Sequence, residues 1–221
     1  MTTSVQGFSD SSLSAPVRGF LHSPEQTSRR ALVLTHGAGS NSNTSLLITL
    51  AEAFAGAGLS VLRCDLPFRQ NRSFGPPRPG DAERDREGLR DALAAMRKLG
   101  CEQLFLGGHS YGGRQATMLC AEDTDLVSGL LLLSYPLHPP RRPAQLRMQH
   151  LPELKVPALF VHGTRDPLGS IEEMESALKM IPSKTQLLTV EGAGHDLGFK
   201  GKSVRDGLAE AVVAAFAGMF S

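Results

Sequence analysis

The stretch FLGGHSYGGR, residues 105–114, decides how the rest of the chain is read. Glycine weakens both strands and helices, yet Gly107, Gly108, Gly112 and Gly113 surround one serine here. The apolar run EQLFLG precedes it and reads as a strand; RQATMLCAE follows and reads as a helix. A nucleophilic serine on a sharp strand-to-helix turn needs tiny residues two positions before and two after it. Gly108 and Gly112 hold those positions around Ser110, and Gly107 and Gly113 add room for the helix to approach the strand. An ordinary glycine-rich turn is the plainer reading of the motif alone.

Outward from this stretch, short apolar runs alternate with helix-like segments. Runs begin at Ala31, Leu59, Glu102, Leu126, Val156 and Thr185, each continuous enough to be a strand buried on both faces. VRGFLHS, from Val17, reads as a preceding edge strand. Helical spacing is present over residues 44–57, 81–99, 170–180 and 203–219, with Ser203 as an N-cap for the last. Repeated strand and helix predict an α/β fold, a mainly parallel sheet of about six or seven strands with helices on both faces. Residues 1–15 are rich in Ser and Thr and are expected to be a loose N-terminal segment, with a single domain over 16–221.

A serine hydroxyl needs a base, and the base needs a carboxylate to orient it. In this kind of fold they follow in the order Ser, acid, His. HGTRD ends one later strand with Asp166, and EGAGHD ends the next with His195, so both fall on the same sheet edge as Ser110. Asp65 is the competing acid, but it precedes Ser110 and reads as a loop or cap residue. For a developing oxyanion, the amide of Tyr111 opens the helix after the nucleophile. The second donor is expected from HGAG, residues 36–39, at Ala38 with Gly39 next.

Other chemistries fit less well. G-x-G-x-x-G fails at Ser42 and at Leu197, and a phosphate loop fails at Asp196, so no nucleotide cofactor is expected. His36, His109, His162 and His195 all stand at strand ends, and a zinc cluster among them is the alternative to turn-shaping roles for His36 and His162. No metal is expected. His109, inside the serine motif, is expected to point into the fold.

The 221 residues, with 41% hydrophobic and 20% charged, are ordinary for a globular protein. A net charge of +1 gives no bias toward nucleic acid or membrane, and no apolar run approaches a membrane span. Cys64, Cys101 and Cys120 have no metal spacing, and the N-terminus has no secretory pattern, so a cytoplasmic location with free thiols is expected. Residues 66–80 and 136–147 are irregular, rich in Pro and Arg, and follow strands. Arg69, Arg72, Arg78, Arg141, Arg142 and Arg147 lie there. A solvated face is one reading. The other is contact with an anionic small-molecule substrate, chiefly through Arg69, Arg72, Arg141 and Arg142, or with an acidic protein partner.

The ordered set GHSYGG, HGTRDPLG and GAGHDLG resembles the serine α/β-hydrolase superfamily over nearly the whole chain from Val17. Within it the chain is similar to the compact dienelactone-hydrolase-like group. DLPFRQNRSFGPPRP and HGTRDPLG carry a narrower likeness to bacterial relatives of testis-expressed and histone-acetyltransferase-complex subunit proteins. The resemblance implies Ser110 as nucleophile, Asp166 as acid and His195 as base. Dienelactone hydrolases use a cysteine, so their substrate does not transfer to this serine. Only a short, proline-containing cap separates LLLLSYP from VPALFVHG. A serine hydrolase acting on an ester, thioester or amide is expected. A non-catalytic scaffold and an acyltransferase are the alternatives.

Overall fold

The computed structural model describes residues 3–199 and 206–220. Among these, eight strands form one sheet: β1 (Ser4–Asp10), β2 (Val17–Ser23), β3 (Arg30–Thr35), β4 (Ser60–Cys64), β5 (Gln103–His109), β6 (Gly129–Leu133), β7 (Ala158–Gly163) and β8 (Thr185–Val190). Their spatial order is β1-β2-β4-β3-β5-β6-β7-β8. From β4 to β8 every pairing is parallel; β1 and β2 pair antiparallel. The chain winds from β3 outward to β4, then returns to the other side of β3 for β5. That reversal opens a crevice at the C-terminal ends of β3 and β5, where open α/β sheets take ligands.

Two expectations are corrected here. Residues Ser4–Asp10 are not loose: they pair with β2 along its whole length, from Ser4 with Ser23 to Asp10 with Val17. VRGFLHS is consequently an interior strand, since β1 covers its outer side. The strand β1 escapes a hydrophobic reading because most of its side chains are exposed: Phe8 alone of them packs against the core, and backbone pairing with the Lys98–Asp10 ion pair completes its hold.

The helices are α1 (Ser45–Gly56), α2 (Pro67–Asn71), α3 (Asp81–Lys98), α4 (Tyr111–Glu122), α5 (Ile171–Leu178) and α6 (Leu208–Phe220). On one face α1 and α6 bury Leu47, Leu50, Phe54, Val212 and Phe216 against Leu32, Leu34 and Phe105. On the other, α3, α4 and α5 bury Leu89, Leu93, Met96, Leu119 and Met174 against Val33, Leu106 and Leu132. Both sheet faces are therefore dry, which is why the central strands read as unbroken apolar runs. Ser203, the expected cap of the last helix, lies outside the described residues.

The segment between β6 and β7 has only a 3₁₀ turn at Leu151–Glu153, so the cap is short. Cys64, Cys101 and Cys120 are buried and unpaired. Among the described residues no helix is long and apolar enough to cross a membrane.

Candidate active site

Strand β5 ends at His109, and α4 begins at Tyr111, so Ser110 must turn the chain in one residue. It does so at φ 52° and ψ −114°, a left-handed φ that non-glycine residues rarely adopt. Its amide donates to the Leu133 carbonyl at 2.8 Å, and its carbonyl accepts from the Arg114 amide at 3.0 Å, so the turn is tied on both sides. The neighbouring glycines are dictated by space. A Cβ on Gly108 would lie 2.7 Å from the backbone of Gly112 and Gly113, and one on Gly112 would lie 2.6 Å from the His36 carbonyl.

The exit loops of β7 and β8 are laced together by Thr164 N–H to Val190 O at 3.1 Å and Arg165 N–H to Ala193 O at 2.9 Å. That lacing brings Asp166 against His195, whose Nδ1 lies 2.8 and 3.0 Å from the two carboxylate oxygens. His195 Nε2 lies 2.7 Å from Ser110 Oγ. Asp166 is fully buried at its side chain, whereas that of His195 is 27% exposed. Burial works against ionisation of Asp166. The hydrogen bond and charge of His195, with the Leu168 amide, overcome it and hold the carboxyl below its ordinary value. An ionised carboxylate only accepts, so His195 carries its hydrogen on Nδ1. Nε2 is left with a lone pair facing the serine hydroxyl.

His109 points inward beneath His195, its ring 5.1 Å from the His195 ring. Its Nε2 lies 2.7 Å from the His195 carbonyl, and a carbonyl only accepts, so Nε2–H donates. Burial first, then the nearby His195, push His109 down to about 4. It is therefore a neutral prop under the His195 loop. The sequence signals only its place in the serine motif.

The HGAG loop is held by backbone carbonyls. The Gly37 carbonyl accepts from His36 Nδ1 at 2.9 Å and from the Ser40 amide at 3.2 Å. In a trans peptide C=O and N–H point opposite ways, so the Ala38 amide is turned away from those donors. The Ala38 carbonyl accepts from Arg69 Nη2 at 2.9 Å, which turns the Gly39 amide away from Arg69. A Cβ on Gly37 would sit 3.0 Å from His109 Nδ1, so this loop runs directly beside the Ser110 turn. Across from it, Tyr111 opens α4, where the first amides have no helical acceptor.

The arginines divide. Arg69 is 6% exposed, and its guanidinium donates to the carbonyls of Ser40, Arg72, Ala38 and Gly75. This corrects the substrate-contact expectation: Arg69 braces the loops instead. Arg72 is likewise committed, paired with Asp81 at 2.5 Å and donating to the Pro76 carbonyl at 3.2 Å. Arg141 and Arg142 are exposed in the loop after β6. Asp65 accepts the Ser42 amide at 2.7 Å and stands 3.7 Å from His36, apart from His195.

His36 and His162 shape turns. His36 donates from Nδ1 to the Gly37 carbonyl and accepts the Leu66 amide on Nε2 at 3.1 Å. His162 donates to the Gly169 carbonyl at 2.9 Å. Among the described residues no three His, Cys, Asp or Glu side chains converge where they could hold a metal ion.

Comparison with known proteins finds relatives of this fold. A family described as an alpha/beta hydrolase domain matches residues 28–218. Among solved structures, dienelactone hydrolase from Anabaena variabilis superposes with a TM-score of 0.74 at 23% identity, covering 100% of this chain and 98% of that one. Est1E from Butyrivibrio proteoclasticus gives 0.75 at 17% identity, over 96% of this chain and 98% of that one. XC6422 from Xanthomonas campestris, described as an a/b serine hydrolase without lid, gives 0.72 at 15% identity, over 99% and 94%.

Proposed function

This chain belongs to the alpha/beta hydrolase domain family, and from that premise we propose that it is a serine hydrolase cleaving an ester, thioester or amide of a small substrate. The observation that carries the reading is the continuous hydrogen-bonded line Ser110 Oγ, His195 Nε2, His195 Nδ1, Asp166.

Ser110 Oγ attacks the substrate carbonyl carbon as its proton passes to His195 Nε2. Negative charge develops on the carbonyl oxygen, and the amides of Ala38 and Tyr111 donate to it; Gly39 is the adjacent alternative donor. The imidazolium formed at His195 faces the buried Asp166 carboxylate, which keeps Nδ1–H in place and stabilises the positive charge. Collapse of the adduct breaks the bond to the leaving group, which takes the proton from Nε2. An acyl group remains on Ser110. Water then loses a proton to His195 as it attacks the acyl carbon, and the second collapse returns that proton to Ser110 Oγ. No cofactor enters the sequence of steps.

The test is labelling with a fluorophosphonate. One adduct on Ser110 is expected by intact and peptide mass, lost in Ser110→Ala with an unchanged circular dichroism spectrum. A native protein that stays unlabelled near pH 8 would overturn the catalytic reading in favour of a scaffold.

A further inference from the structure

A second polar cluster lies about two helical turns beyond the nucleophile along α4, and the reaction above leaves it unused. Thr117 on α4 donates its hydroxyl to the Arg114 carbonyl at 2.9 Å and lies 2.8 Å from His150 Nε2. The Tyr135 hydroxyl stands 3.3 Å from the same His150 nitrogen. Arg147 sits three residues before His150, with its amide donating to the Leu137 carbonyl at 2.7 Å.

Arg114 and Arg147 both bear on this cluster. Burial lowers the Arg147 guanidinium, and the charge of Arg114 lowers it further. Burial, then Arg114, also push His150 down to about 4, so it is neutral and contributes no competing charge. Among the described residues no carboxylate acts on Arg147 or His150.

The other arginines withdrawn from solvent each donate to a carbonyl or carboxylate: Arg30, Arg63, Arg69, Arg72, Arg86 and Arg90. Among the described residues, the Arg114 and Arg147 guanidiniums have no such acceptor, and Arg114 Nε is buried without a partner. Two partly desolvated cations whose charges bear on one another, with no counter-ion among the described residues, are unfavourable until an anion joins them.

Their place relates them to the reaction. The Arg114 amide donates to the Ser110 carbonyl, and helical side chains lean toward the helix N-terminus. Arg114 thus stands one turn along α4 from Ser110, and its charge acts on Tyr111, the first residue of that helix. Arg147 is tied to Leu137, four residues past Leu133, whose carbonyl holds the Ser110 amide.

We propose that Arg114 and Arg147 form an anion-binding subsite beside the nucleophile, for a carboxylate or phosphate carried on the substrate away from the scissile carbonyl. The link to a substrate rests on the serine hydrolase reading; anion binding by the pair does not. The subsite gives an anionic preference a different seat from the exposed Arg141 and Arg142.

Two measurements on the full chain test it. Thermal unfolding is followed in rising succinate or inorganic phosphate at constant ionic strength. An anion bound only by the folded state raises Tm by mass action. The rise is expected in the native protein and lost in the Arg114→Gln/Arg147→Gln variant; the more effective anion identifies carboxylate or phosphate as the preferred group. In the second measurement, the kcat/KM ratio for para-nitrophenyl hemisuccinate over para-nitrophenyl butyrate is expected to fall at least about tenfold in that variant, as for loss of hydrogen bonds to a charged group. Equal Tm responses in native and variant proteins, or an unchanged ratio, overturn the subsite. If neither ester is turned over while the anion response is specific to the two arginines, the subsite stands and the hydrolase reading alone fails. Should the double variant not fold, Arg147→Gln carries the same two comparisons.

Discussion

Arg69 Nη2 donates to the carbonyl of Ala38 at 2.9 Å, so a buried side chain on the five-residue helix α2 fixes a peptide plane in the loop beside Ser110. The same guanidinium holds Ser40 and Gly75. A lysine keeps the charge but cannot span these carbonyls with a planar fork. Arg69→Lys should therefore lower kcat on a neutral ester with KM little changed. The loss should be about 10- to 100-fold, below the roughly 10²–10³ typical of deleting an oxyanion donor outright. A raised KM at unchanged kcat would instead make Arg69 a substrate contact.

Asp166→Asn should leave Ser110 and His195 in place while favouring the wrong imidazole tautomer. A fall in kcat of at least about 10² is expected, by comparison with the roughly 10⁴ seen for such a change in a serine protease. Asp65→Asn removes only an acceptor for the Ser42 amide and should cost far less. Steady-state kinetics on the two variants check the ranking, and the reverse order would make Asp65 the acid.

Gly112→Ala puts a Cβ 2.6 Å from both the His36 carbonyl and Thr35 Cγ2. Backbone on one side cannot yield cheaply, so α4 must shift and take Ser110 with it. A loss of about 1–3 kcal/mol in urea unfolding, typical of overpacking, should accompany slower fluorophosphonate labelling. Gly56→Ala, where a Cβ meets nothing within 4 Å, is the matched control and should show neither effect.

Acid should loosen the fold through three histidines. Burial lowers His22, His109 and His150 from 6.5 to about 4. Between those values the unfolded chain binds protons that the folded chain refuses, so stability is full above 6.5 and falls as pH drops toward 4. Asp166, held below its ordinary value, adds to the loss at the acid end. The urea midpoint should decline across this window, and His22→Gln should flatten the slope by about one proton. A midpoint that stays level from neutrality to about pH 4.5 would contradict the burial of these rings.

Much of this architecture could be read from residue types because its cues are local. The glycines around Ser110 report a crowded turn, and the dry strands report their burial as apolar runs. Asp166 and His195 follow strands whose ends lie on one edge, so their meeting with Ser110 follows from chain order alone. What escaped depends on backbone atoms, which carry no residue identity. Strand β1 is held mainly by amides and carbonyls while most of its side chains face water. Arg69 looks like any other arginine in a proline-rich loop, since every partner of its guanidinium is a main-chain carbonyl. That the Arg114 and Arg147 guanidiniums have no acceptor among the described residues is equally invisible, because it is set by which groups fail to come near.

Strand β1 also bears on how the molecule behaves in solution. A chain trimmed just before Val17, where composition invites a cut, keeps Ser110, Asp166 and His195 but bares the outer side of β2 from Val17 to Ser23. It also loses the Lys98–Asp10 ion pair and the Ala15 amide bound to Asp91. A bared strand is a template for another copy of itself. The mostly exposed, polar β1 thus covers the edge that β2 would otherwise present, and trimming it should increase edge-to-edge self-association.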